Sequence, residues 1–178
     1  IRNSDKIFST SFAMKEIIQS EYNRFDIEVI PFGVDVEKFQ PSRALYNKFT
    51  VGTIKSIEDH NGIDCLIDAA NIVINEYNKE IDFLIVGKGS LKKIMEQKVI
   101  NLNLEDKVRF AGFIKQSKIL KYYNNLSIFI AVSTRESFGV SILEAAACEI
   151  PSITSNIGGL IEVNIHNDTG IIINPNDP

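Results

Sequence analysis

"FTVGTIKSIEDHNGIDCLIDAANIVINEYNKEIDFLIVG", residues 49–87, sets two strand-length apolar runs on either side of a helix-period segment. "FTVGTI" (49–54) and "IDFLIVG" (81–87) are rich in Ile, Val and Phe, which suits strands buried on both faces, the habit of parallel sheets. Between them Ile63, Leu66, Ile67, Ala70, Val73, Ile74 and Tyr77 follow the spacing of an amphipathic helix. Strand, helix and strand of this kind predict a βαβ unit.

The alternation continues. "VRFAGF" (108–113), "LSIFIAVS" (126–133), "PSITS" (151–155) and "GIIIN" (170–174) read as strands, with helical patterns over 90–101, 116–124 and 138–148. The expected fold is α/β, a Rossmann-like doubly wound parallel sheet. The first residues keep a different rhythm. "DKIFSTSFAMKEIIQSEY" (5–22) reads as a strand then a helix, and "VIPFGVDVEKFQP" (29–41) as a strand leading into a Gly/Pro-marked turn and linker. Residues 1–45 are therefore read as the remnant of a preceding domain plus a linker. Residues 46–178 are read as the main domain, its C-terminal end expected to be incomplete.

A chain of 178 residues with 44% hydrophobic and 24% charged residues fits one globular domain with a real core. A net charge of -4 argues against nucleic acid as a partner. No apolar run approaches the roughly 18 residues of a membrane-spanning helix, and no signal-peptide pattern opens the chain. Cys65 and Cys148 lie in apolar helical runs and read as buried free thiols in a reducing compartment. His60 and His166 are far apart, which leaves no zinc cluster and no expected metal. The chain reads as cytoplasmic.

"RESFGVSILEAAACEIPSITSNIGG" (135–159) raises the functional question. In parallel α/β sheets ligands bind at the carboxyl ends of strands, where loops enter helix N-termini. A helix starting near Phe138 would offer the backbone N–H groups of Phe138, Gly139, Val140 and Ser141 to an anion, and phosphate is the usual occupant. Carboxylates repel phosphate but suit paired hydroxyls. Glu136 lies in the loop and Glu144 one face along the helix from Ser137 and Ser141. The spacing fits hydroxyls on both sides of one diphosphate, as in a sugar nucleotide. On spacing alone it fits equally an acid that complements the helix dipole and a second, plain surface acid.

"ESFGVSILEAAACEIPSITSNIGGLIEV" resembles the Glu-x7-Glu region of retaining GT-B glycosyltransferases of family 4 (glycosyl transferases group 1). "VIPFGVDVEKFQP" resembles that family's interdomain linker, "VGTIKSIEDHNGIDCLIDA" its first C-domain strand, loop and helix, and "FLIVGKGSL" with "VRFAGF" its next two strand ends. "NDTGIIINPNDP" resembles a strand near the family's end.

The resemblance implies that this chain is nearly all of the C-terminal, donor-binding domain of a two-domain enzyme. The missing partner is the N-terminal acceptor-binding domain, without which the chain is expected to bind weakly and transfer nothing. The substrate implied is a UDP-sugar or GDP-sugar, with no cofactor and no essential metal. The pathway implied is cell-surface polysaccharide or glycolipid synthesis, in a full-length enzyme peripheral to a membrane. By position, Glu136 would contact the donor sugar, and Ser137, Phe138, Gly139 and Val140 would face sugar and diphosphate. Glu144 would bind ribose hydroxyls; Gly112, Phe113 and Ile114 would border the base; Gly87 and Gly89 would line the same cleft.

The chain also departs from the family. Thr53 stands where an Arg is usual, with Lys55 two residues on, and His60-Asn61-Gly62 stands where a Lys precedes the helix-opening Gly. Lys55 and His60 are the candidates to stabilise the leaving diphosphate, beside Glu136 as the third catalytic candidate; a plain solvated loop residue remains the other reading of His60. Glu149 replaces a Gly after the helix, which forfeits the favoured C-cap. Arg135 is expected to pair with a neighbouring acid, His166 to be a turn residue, and Lys92, Lys93 and Lys98 to form a solvated helix face. Two rival functions stand beside the transferase: a GT-B-type sugar-nucleotide 2-epimerase and a non-catalytic nucleotide-binding module.

Overall fold

The computed structural model describes residues 4–41 and 48–178. The expected boundary between residues 45 and 46 lies outside the described residues.

Two parallel sheets form. β1 (Ile7–Ser9), α1 (Phe12–Tyr22) and β2 (Ile27–Val29) make a small βαβ unit with Ile7 opposite Ile27. β2 begins two residues before the segment that suggested it. The second sheet contains β3 (Thr50–Ile54), β4 (Asp82–Val86), β5 (Val108–Gly112), β6 (Ile128–Ala131), β7 (Ser152–Ser155) and β8 (Gly170–Ile173). Its order is β5-β4-β3-β6-β7-β8 with every pairing parallel. All six strands fall inside the apolar runs that predicted them. The order reverses between β3 and β6, and such a switch point opens a crevice at the carboxyl ends of the two strands.

Burial follows the strand period of two. Along β4, Phe83 and Ile85 enter one core with Ile63, Leu66 and Ile67, while Leu84 and Val86 enter the other with Tyr123, Phe129 and Ile142. The first core is covered by α2 (Ile63–Asn71) and α3 (Lys92–Asn101), the second by α4 (Ile119–Tyr123) and α5 (Val140–Ala147). Each such side chain contributes about 1.5–3 kcal/mol when fully buried, so the two-sided sheet is the main source of stability.

Four local readings need correction. α2 continues into a π turn over Ile72–Glu76, closed by Tyr77 N–H donating to the Ile72 carbonyl at 3.1 Å. The extra residue per turn rotates the apolar stripe, so Tyr77 is 66% exposed instead of joining the core face. α5 starts at Val140, behind Gly139 at φ 104, two residues later than expected. Lys98 is no free surface charge: it reaches Asp64 at 2.6 Å and Asp68 at 2.7 Å and ties α3 to α2. Cys65 is only half-buried, while Cys148 is buried; both are free thiols. A four-residue α6 (Leu160–Val163), unseen in the sequence pattern, follows β7. His166, expected in a turn, stands just before the turn at 167–169 in an isolated parallel bridge with Gly170, and its Nδ1 accepts from the Ile172 N–H at 3.0 Å.

Candidate functional site: the crevice at the switch point

β3 delivers Lys55 and β6 delivers Ser133 to the two lips of the crevice. Lys55 Nζ donates to Ser133 Oγ at 2.8 Å and forms an ion pair with Glu136, from the loop after β6. Both side chains are largely enclosed, at 11% and 20% exposure, so salt screens their attraction less than that of a surface bridge. Ser133 is fully buried and donates to Asn61 Oδ1 at 3.4 Å; Asn61 Nδ2 donates to the Ser56 carbonyl at 2.9 Å and to Ser56 Oγ at 2.8 Å. Asn61, absent from the sequence candidates, thus links both sides of the switch point.

The loops touch backbone to backbone. A Cβ on Gly87 would lie 1.8 Å from the Lys55 carbonyl oxygen, so only glycine lets the β4 loop pass there. A Cβ on Gly158 would lie 2.3 Å from the Glu136 carbonyl oxygen, and Gly159 N–H donates to that same oxygen at 3.1 Å. Gly158 and Gly159 therefore fix the turn that carries Glu136. Glu58 bridges two loops by accepting from the Ser90 N–H at 2.9 Å and from the Ser90 hydroxyl; these bonds, with His60 nearby, hold its carboxyl below the usual range.

Beside this lies a cleft of about 350 Å³. It gathers the predicted residues Lys55, Gly87, Phe113, Ile114 and Glu144. Lys88, Gln116 and Tyr123 also line it and were not anticipated. The Lys88 ammonium sits 5.0 Å from the centre of the exposed Phe113 ring. Glu144 Oε2 accepts from the Tyr123 hydroxyl at 2.5 Å and Oε1 from Gln116 Nε2 at 3.0 Å. Burial, and then the Glu144 charge, pushes the Tyr123 phenol far up; the same causes raise the Cys148 thiol to about 11.

The other candidates take other places. Glu136 reaches the cleft edge through Lys55. Thr53 is only 2% exposed within β3 and does not line the cleft. Gly89 lies under the β3 loop, where a Cβ would meet the Ile57 carbonyl oxygen at 2.1 Å. Gly112, at φ 72, accepts from the Gly87 N–H at 2.9 Å and joins the two strand ends. Ser137, Phe138 and Gly139 form the approach to α5, which Val140 opens and whose first amides have no partner within the helix. The Phe138 ring is buried edge-on to Phe32 of the linker, 5.9 Å away. His60 contributes its carbonyl, which accepts from the Thr134 N–H at 2.8 Å, and its imidazole is not part of the cleft wall. Among the described ion pairs none involves Arg135, so the expected acid partner is not found.

Residues 35–178 match the family described as Glycosyl transferases group 1. The chain belongs to that family. An uncharacterized glycosyltransferase of Methanocaldococcus jannaschii is 26% identical over 98% of this chain and 48% of its own length. The phosphatidylinositol N-acetylglucosaminyltransferase gpi3 subunit of Schizosaccharomyces pombe is 28% identical over 83% of this chain and 32% of its own. The capsular polysaccharide biosynthesis glycosyltransferase CapM of Staphylococcus aureus is 29% identical over 82% and 40%. The chain thus spans half or less of the length of these relatives. Among solved structures, Anabaena HepE in complex with UDP-glucose superposes with a TM-score of 0.85 at 25% identity, covering 97% of this chain and 50% of that one. The C-terminal domain of a group 1 family protein from Francisella tularensis superposes with a TM-score of 0.73 at 26% identity, covering 80% of both chains. The α/β fold with its six-stranded parallel sheet is that of GT-B glycosyltransferases.

Proposed function

We propose that this chain is the C-terminal, donor-binding lobe of a retaining family 4 glycosyltransferase that moves a sugar from a UDP-sugar or GDP-sugar to an acceptor in polysaccharide or glycolipid synthesis. The observation that carries the reading is the pairing of two acids with different settings around one crevice. Glu136 is charge-paired with Lys55 at the switch point, and Glu144 stands in the wall of the adjoining cleft. The names of the relatives point the same way: a phosphatidylinositol glycosyltransferase, a capsule glycosyltransferase and a neighbour that holds UDP-glucose. The relatives reported are transferases, which does not favour the epimerase.

In this reading the diphosphate lies against Lys55 and the first amides of α5. Glu136 then turns to hydroxyls of the donor sugar, and Glu144 takes the ribose hydroxyls. As the bond from the anomeric carbon to the diphosphate oxygen breaks, its electron pair stays on that oxygen. The acceptor hydroxyl oxygen bonds to the same carbon, and the hydroxyl proton passes to the departing diphosphate. Lys55 and the α5 dipole stabilise the new charge, which lowers the barrier electrostatically. No resident cofactor takes part. Transfer needs the acceptor hydroxyl to be held beside the donor, a role for the acceptor-binding lobe.

Calorimetry with UDP, GDP and their sugars tests this. Glu144→Ala is expected to weaken nucleotide and nucleotide sugar alike by about 1.5–3 kcal/mol, the worth of a hydrogen bond to a charged group. Glu136→Ala is expected to spare the bare nucleotide and to remove discrimination for the sugar. EDTA is expected to leave binding unchanged, because Lys55 and a helix terminus supply the positive potential. Equal losses for both ligands in both mutants would show that the acids do not divide the labour in this way.

A further inference from the structure

Glu144 is held from behind by a buried side chain of the cleft wall. Tyr123 closes α4 with 0% exposure, and its ring is set between Phe39 and Phe129, each 5.8 Å away centre to centre. From this packed ring the hydroxyl meets Glu144 Oε2 at 2.5 Å. Burial and the neighbouring carboxylate raise the phenol, so it remains a proton donor throughout the physiological range. Gln116, exposed at the cleft, donates to the other oxygen at 3.0 Å.

We propose that Tyr123, assisted by Gln116, is a positioning residue for nucleotide recognition: it fixes the Glu144 carboxylate in the orientation that accepts the vicinal hydroxyls of a ribose. This deepens the function proposed above and rests on Glu144 as the ribose ligand. A glutamate on a helix has several rotamers open to it, and only some direct its oxygens into the cleft. A charge-assisted bond from a rigid buried donor selects among them before the ligand arrives, which is preorganisation. The two bonds leave further lone pairs on each oxygen, so a diol is accepted beside them.

The measurement is the affinity for UDP against 2′,3′-dideoxy-UDP, and in parallel for GDP against its dideoxy form, in the wild type, Tyr123→Phe and Gln116→Leu. The wild type is expected to prefer the ribose form by about tenfold or more. Tyr123→Phe keeps the ring and removes the donor. It is expected to cut the preference by about three- to tenfold while leaving the dideoxy affinity unchanged. Gln116→Leu, a surface change that does not disturb the core, is expected to cut it by less. A preference kept in full by both variants overturns the proposal, and so does an equal weakening toward ribose and dideoxy forms. A wild type without preference instead overturns the reading of Glu144 as a ribose ligand, whatever the variants do.

Discussion

The two βαβ units at the front of the chain share a local pattern and differ in what they bury. α1, between β1 and β2, has no buried residue, and Phe8, Phe12, Phe25 and Phe32 in and around that unit are each more than half exposed. α2, between β3 and β4, buries Ile63, Leu66, Ile67 and Ala70. The second unit sits in a six-stranded sheet covered on both faces; the first sits in a two-stranded sheet. The smaller unit and the linker after it are fastened to the larger by particular contacts. Phe39 is 3% exposed in the second core, Phe32 meets Phe138, and the Glu162 carboxylate of α6 accepts from the Phe12 N–H at 2.9 Å and the Ala13 N–H at 2.8 Å. One region holds by area and the other by anchors.

The sharpest way to break that contrast is to remove one aromatic ring from each region. Phe129→Ala, at 0% exposure, is expected to cost about 3–5 kcal/mol, because a cavity remains. Phe25→Ala, at 71% exposure, is expected to stay within about 0.5 kcal/mol. Urea midpoints measure both, and similar losses would mean that the exposed face of the first unit is covered in solution.

A smaller effect is expected at the anchor. Glu162→Ala removes two acceptors from the α1 N-terminus, while Ser11 Oγ still accepts from the Met14 N–H at 3.0 Å. Loss of such a cap costs about 1 kcal/mol. Hydrogen exchange in α1 should then accelerate about fivefold while β3 to β8 keep their protection. Uniform acceleration would show that the two units open together.

What was legible from the sequence divides in the same way. The six strands could be read because parallel strands buried on both faces are written as continuous apolar runs. The apolar pattern puts Tyr77 on the core face because a π turn breaks the 3.6-residue period without any distinctive residue. The Glu-x7-Glu spacing marked both acids, but not their partners: Lys55 and Glu136 stand 81 residues apart, and Tyr123 and Glu144 stand 21 apart. Only sheet order brings the first pair together. Tyr123 lies in a run that reads as plain core, and its hydroxyl carries no signal until Glu144 is seen beside it. His60 stands out in the sequence as a candidate cation, yet the neighbouring Asn61 carries the side-chain links.

The smallest expected effect separates the ends of α1 and α5. α1 ends on Asn23 at φ 51, and α5 is followed by Glu149 at φ 60. The other described non-glycine residues at positive φ are all asparagines, so Glu149 is the exception. Its bonds are those of a Schellman ending: the Ile150 N–H donates to the Ala145 carbonyl at 3.0 Å and the Glu149 N–H to the Ala146 carbonyl at 2.9 Å. Ile150 is buried and Pro151 follows, so the chain is committed to this turn. A side chain in the left-handed region costs about 1–2 kcal/mol, and glycine returns part of that gain as unfolded-state entropy. Glu149→Gly is therefore expected to stabilise by about 0.5–1 kcal/mol, read as a higher urea midpoint with an unchanged slope. Charge offers a competing cause, since a carboxylate at a helix C-terminus opposes the dipole. Glu149→Ala decides between them: it removes the charge and keeps the Cβ. If alanine stabilises as much as glycine, electrostatics rather than backbone strain sets the cost of this turn. If only glycine gains, with asparagine between, the strain at φ 60 is the cause.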